Sequence, residues 1–219
     1  MIIKYKLYPS ITFHFFIFDI VTTILLIPYP FLYFRIVFFF MNESNISKVG
    51  EEKPSQLQKI APCLWFDNQA EEAANFYITV FKNSKIDQVT LYGKEGYEIH
   101  GMKEGTVMTV DFEIASQKFV ALNGGPVFKF NEAISFQVFC DTQKELDYYW
   151  EKLSEGGDKN AQQCGWLKDK YGVSWQIVPT VLPKMIRDKD QIKSQRVMKV
   201  MLQMQKLDIQ TLVQAYEKV

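Results

Sequence analysis

At 219 residues with 25 basic and 25 acidic side chains, the chain is long enough to bury a core of its own and carries no net field to hold nucleic acid or an anionic membrane surface. Its three cysteines, Cys63, Cys140 and Cys164, are odd in number and form no C-x-x-C pair. That excludes a disulfide framework and a structural zinc site and reads as the reduced thiols of a cytoplasmic protein.

Residues 1–40 hold nine of the eighteen phenylalanines and neither alanine nor glycine, so they differ in kind from the rest of the chain. A spanning helix needs about 20 apolar residues. Asp19 and Arg35 cut this segment into charge-free stretches no longer than Leu7 to Phe18 and Ile20 to Phe34, and the small residues of a secretory cleavage site are missing. Met41 then opens a hydrophilic leader that runs to residue 57. The expectation is that Met41 is the true start and residues 1–40 a spurious extension. The competing reading is an imperfect membrane anchor with a flexible leader behind it, and only then is a membrane a partner.

From residue 58 the pattern becomes regular. "KIAPCLWF" reads as a strand, with Asp67 and Asn68 as candidate helix caps. The next segment puts Ala73, Phe76, Tyr77 and Val80 on one helical face, with Glu71 and Glu72 at the positive end of the helix. "IDQVTLY" is a strand and "GKEGYEIHGMKEG" a glycine-rich loop. Alternating strands come next over Thr106 to Ile114 and Lys118 to Asn123, and Gly124, Gly125 and Pro126 end them.

After "VFKFNE" the pattern restarts. "AISFQVFCDT" is a strand running into a cap, and the helix after it carries Leu146, Tyr149, Trp150 and Leu153 on one face. A shift of 73 residues lays these on Ala73, Phe76, Tyr77 and Val80, and Asp141 on Asn68. Two copies of one strand-helix unit are therefore expected, on pattern rather than identity. "GWLKDKYGVSWQIVP" closes the second copy as a hairpin in which Gln176 sits between Trp175 and Ile177. Residues 183–219 turn helical, with Asp208 as a cap and a methionine-rich stripe suited to core or dimer packing.

The stretches "APCLWFDNQAEEAANFY", "ALNGGPVFKFNEAISFQV" and "GWLKDKYGVSWQIVP" resemble the PhnB-like branch of the vicinal oxygen chelate superfamily, which includes glyoxalase and bleomycin-resistance proteins. The resemblance covers residues 58–182. It implies an α+β fold of two tandem βαβββ modules forming a cup-shaped sheet, with a C-terminal helical pair, commonly as a homodimer with a small organic ligand in each cup. Metal-using members supply His, Gln or Glu from four inward-facing strand positions. Aligned on this sequence those positions fall at Pro62, near Asn123, at Ser135 and at Gln176, where a glutamate is usual. A proline, a serine and two neutral amides are a poor donor set for a divalent cation, so no metal and no cofactor are expected.

Two readings of the amides stay open. Asn123 and Gln176 either line the cup and bond a ligand, or serve a turn and a neighbouring strand. The candidate ligand-binding residues are Trp65, Asn123, Ser135, Gln176, Trp175 and His100, the last in a loop able to fold over the pocket or merely solvated. Glu132 and Lys168 either flank the pocket mouth or face water. Cys164 reads as an inert thiol. No catalytic residue is assigned. The alternatives are a metal-dependent lyase, isomerase or dioxygenase using residues such as His100 or Glu132, and a methyltransferase. Against the latter, no G-x-G-x-x-G loop opens a helix, and "LNGGP" ends in proline. No P-loop, metalloprotease helix or nucleic-acid motif occurs.

Overall fold

The computed structural model describes residues 58–218, and the expectations for residues 1–40 and 41–57 lie outside them. The described chain is α+β, with two sheets of four and three strands. The first module runs β1 (Cys63–Phe66), α1 (Ala70–Val80), β2 (Lys85–Leu91), α2 (Tyr97–His100), β3 (Val107–Ile114) and β4 (Gln117–Asn123). Its sheet order is β1-β4-β3-β2, with β1 parallel to β4 and the other pairs antiparallel. The second runs β5 (Phe136–Cys140), α3 (Gln143–Ser154), β6 (Trp166–Lys168) and β7 (Ser174–Pro179), ordered β5-β7-β6 with β5 parallel to β7.

The two modules differ at one strand. Where the first has β2, the second has a 3-10 turn over Lys159–Ala161, capped by Asp158, and a single bridge between Gln163 and Trp166. The chain entering β6 is tied instead to the C-terminal extension: Cys164 N and Gly165 N donate to the carbonyls of Met204 and Gln205, both at 2.7 Å. That extension follows a short helix, α4 (Leu182–Ile186), and holds the expected helical pair, α5 (Gln191–Met201) and α6 (Ile209–Glu217). Asp190 and Asp208 cap α5 and α6. Arg196 clamps them together by donating to the carbonyls of Ala215 and Tyr216. Among the described residues no helix is long and apolar enough to cross a membrane.

Alternation sorts each sheet into a buried and an open face. Leu64 and Phe66 of β1, Val110 and Phe112 of β3 and Ala121 of β4 are buried where α1 packs with Ala73, Ala74 and Tyr77. Leu167 and Ile177 are buried likewise beside Leu146 and Leu153 of α3. The two buried sides share an aromatic seam, with Trp175 packed on Tyr77 and Phe81 at centroid distances of 5.6 and 5.5 Å and Phe119 meeting Phe136 edge-on at 5.2 Å. Left on the open faces are Cys63, Trp65, Asp111 and Leu122 in the first sheet and Gln137, Phe139, Trp166 and Gln176 in the second.

Candidate functional site

The site begins where β1 ends. Trp65 leaves β1 on the open face, and its Nε1 donates to the carbonyl of Gly125 at 2.8 Å. The indole can lie there only because residue 124 is glycine: a Cβ on Gly124 would stand 2.2 Å from the Trp65 ring. Phe128, in the connection between the modules, meets that indole edge-on at 4.9 Å. On the other side Phe66 packs edge-on against Phe130 at 5.2 Å and Tyr171 at 6.1 Å. Between these groups lies a partly open cavity of about 330 Å³, whose lining also includes the charged residues Asp67, Lys129 and Lys168. Lys168, which lines this cavity, pairs with Glu132 of the connection.

The β6–β7 turn that carries Lys168 and Tyr171 is organised by Asp169, which is 3% exposed. One carboxylate oxygen accepts from Tyr77 Oη and Trp175 Nε1, both at 2.8 Å, and the other from the backbone N–H groups of Tyr171 and Val173 at 2.9 and 3.0 Å. Burial pushes the Asp169 carboxyl above its usual range while those four bonds pull it down. The Tyr171 hydroxyl donates to Glu72 at 2.8 Å, and burial together with that carboxylate raises its pKa. Sequence reading passes over Asp169 because an aspartate before a Lys-Tyr-Gly turn looks like an ordinary turn residue. The signal available was the distant Tyr77 and Trp175, two buried aromatics whose polar atoms require partners.

The sequence-selected residues do not form one cluster. Gln176 donates to Ser135 Oγ at 2.8 Å and accepts from Gln137 Nε2 at 3.1 Å, a neutral polar chain on the open face of the second sheet. Trp175 is buried in the aromatic seam with its Nε1 on Asp169. Asn123 lies on the helix side of its sheet, 7% exposed. Its Oδ1 accepts from Ala70 N at 2.8 Å and its Nδ2 donates to the Val107 carbonyl at 3.0 Å. The cap of α1 therefore comes from Asn123, not from Asp67 or Asn68. His100 ends the short α2, where its Nδ1 accepts from Met102 N at 2.9 Å and its ring packs on Tyr92 at 4.6 Å.

The counterpart of Ser135 also moves. The helices superpose at a shift of 73 (Ala70 onto Gln143), but the strands superpose at 74 (Phe66 onto Cys140), because residues 67–69 join β1 to α1 and only Asp141 and Thr142 join β5 to α3. One residue changes the face. Pro62 thus corresponds to Phe136, and the position matching Ser135 is Ala61. Neither Pro62 nor Ala61 has a donor side chain. Asn123 is committed at both ends inside the core, and Ser135 and Gln176 are neutral and bonded to each other. These residues do not fit a divalent cation, and among the described residues no three His, Cys, Asp or Glu side chains cluster as a metal would require.

Comparison with known proteins comes to the same stretch of chain. Residues 58–178 match the family model described as 3-demethylubiquinone-9 3-methyltransferase. Among solved structures the chain is similar to a PhnB protein from Bacillus cereus at 36% identity, over 56% of this chain and 100% of that one, with a TM-score of 0.48. It is similar to a protein from Pseudomonas aeruginosa at 18% identity, over 56% and 97%, with a TM-score of 0.44. It is also similar to the fosfomycin resistance protein FosX from Listeria monocytogenes at 14% identity, over 61% and 100%, with a TM-score of 0.40. No curated protein matches.

Proposed function

Since the chain belongs through residues 58–178 to the 3-demethylubiquinone-9 3-methyltransferase family, the PhnB-like branch of the vicinal oxygen chelate superfamily, we infer that it binds a small organic molecule and does so without a resident metal ion. The observation that carries this reading is the Gln137–Gln176–Ser135 chain on the open sheet face. Amide and hydroxyl groups in that arrangement can bond a ligand's carbonyl or hydroxyl, whereas a divalent cation draws its binding energy from carboxylates or imidazoles. A homodimer is part of the proposal: Phe139 on the open face of β5 is 51% exposed and Leu91 at the end of β2 is 52% exposed, apolar area of the kind a second copy covers. Sedimentation of the full chain checks that part.

The test of the metal-free reading is thermal unfolding of the full chain after chelation, then in the presence of Ni, Zn, Mn, Fe and Mg ions. A native-state site filled to about 100 times its dissociation constant adds roughly 2.7 kcal/mol, a rise of roughly 5–10 °C in a domain of this size. The expected result is no saturable rise with any of them. A saturable rise with one ion replaces this proposal with a metal-dependent lyase, isomerase or dioxygenase. Saturable binding of S-adenosylmethionine would move the assignment to the methyltransferase instead.

A further inference from the structure

The cavity beside Trp65 differs from the open sheet face in chemistry: it is aromatic on both walls and its lining includes charged residues. We propose that it is a binding site for a single-ring aryl carboxylate, whose ring lies between Trp65 and Tyr171 and whose carboxylate takes the place of Glu132 on Lys168. The proposal rests on the reading that this chain binds a small molecule and adds the chemical class and the site.

Size comes first. About 330 Å³ lies at the low end of small-molecule sites. At about 30 Å³ for each water-sized group, it admits on the order of ten non-hydrogen atoms. One substituted ring fills it. Shape comes from the walls, where Trp65 with Phe128 and Phe66 with Phe130 and Tyr171 all meet edge-to-face. Such a frame offers both ring edges and ring faces to an inserted flat ring, and aromatic pairs favour those offset and perpendicular contacts.

Charge selects the anion. Two lysines, Lys129 and Lys168, and one acid, Asp67, line the cavity, and a second acid, Glu132, is paired with Lys168. Lys168 has only 22% of its side chain exposed, while its partner Glu132 is 61% exposed. An ion pair with one exposed member is weak and exchangeable. The Glu132 carboxylate thus occupies the position on Lys168 that a ligand carboxylate would take, and it competes with that ligand. The backbone beneath is rigid, because Asp169 pins the turn between Lys168 and Tyr171 and Gly157 sits against the Lys168 carbonyl, where a Cβ would come within 2.0 Å.

The test titrates the full chain with benzoate, benzamide, benzyl alcohol and cyclohexanecarboxylate, read by tryptophan fluorescence and by the thermal midpoint. Benzoate should bind at least tenfold more tightly than the two neutral aryl compounds and than the non-planar acid. Lys168→Met should abolish the preference for benzoate over benzamide, and Glu132→Gln should strengthen benzoate binding. Both side chains reach solvent, so folding of the variants is checked by their midpoints without ligand. Trp65→Phe should remove most of the fluorescence change. Benzamide binding as well as benzoate, an unchanged benzoate affinity in Lys168→Met, or a benzoate dissociation constant above about 1 mM each overturns the proposal. A metal-dependent rise in midpoint overturns the functional reading alone, whatever the aryl titration shows.

Discussion

Replacing Asp169 tests whether one buried carboxylate joins the core to the cavity. In Asp169→Ala four donors lose their acceptor: Tyr77 Oη, Trp175 Nε1 and the N–H groups of Tyr171 and Val173. Tyr77, Val173 and Trp175 are at most 2% exposed, so water does not replace it. At about 1–3 kcal/mol for each stranded buried donor, and less than additively because they share one partner, the loss should come to about 4 kcal/mol. That is a large part of a typical domain's stability of roughly 5–15 kcal/mol. Asp169→Asn should cost less. Its oxygen can still accept from both backbone N–H groups and its amide can donate to Tyr77, whose hydroxyl also accepts. Only the Trp175 indole, a donor without acceptor capacity, is left facing a donor, at about 1–3 kcal/mol. Adding Trp175→Phe to Asp169→Asn removes that conflict, so the double variant should be at least about 1 kcal/mol more stable than the sum of the singles predicts. Denaturant unfolding monitored by circular dichroism measures the wild type, both Asp169 variants, Trp175→Phe and the double variant. Equal losses in Asp169→Asn and Asp169→Ala, or simple additivity in the double variant, would refute the account. The pH dependence has a definite sign. Burial raises the Asp169 carboxyl in the folded state, so the fold holds that proton more tightly than the unfolded chain does. The advantage of the wild type over Asp169→Asn should be largest below the unfolded carboxylate value and shrink as pH rises through the folded one.

Other parts of the structure give independent tests. Gly124→Ala places a methyl group 2.2 Å from the Trp65 ring; it should shift the Trp65 emission and lower the thermal midpoint, and an unchanged spectrum would mean that the indole does not lie there. Leu207 is 1% exposed and packs on Gly165 at the edge of the second sheet, so Leu207→Ala should cost about 2–5 kcal/mol in denaturant unfolding; a loss under about 1 kcal/mol would show that the extension does not hold that edge. The thiols should differ in alkylation of the native chain. Cys140 is buried and pushed up to about 12, chiefly by desolvation, and should stay unmodified at neutral pH. Cys63 is exposed, but desolvation and then Asp111 raise its thiol, so it should react more slowly than a free cysteine and speed up as pH rises toward its pKa.

How far the sequence could be read depends on the range of each interaction. Helices α1 and α3 were legible because the spacing of Ala73, Phe76, Tyr77 and Val80, and of Leu146, Tyr149, Trp150 and Leu153, is local information. Strand facing was not. It depends on whether two or three residues join a strand to its helix, and a single such difference, Asp141–Thr142 against residues 67–69, turned the Pro62 alignment to the other face. Asn123 and Asp169 were illegible for a second reason: the groups they serve are as much as 53 and 92 residues away along the chain. Side chains of this kind look like turn residues until the fold brings their partners in. The missing fourth strand of the second module belongs with them. "GGDKNAQQC" carries no alternating apolar run, and the edge that a strand would have paired is held by the Met204 and Gln205 carbonyls instead. The C-terminal extension therefore does part of a strand's structural work, satisfying backbone N–H groups that an open edge would leave to another chain.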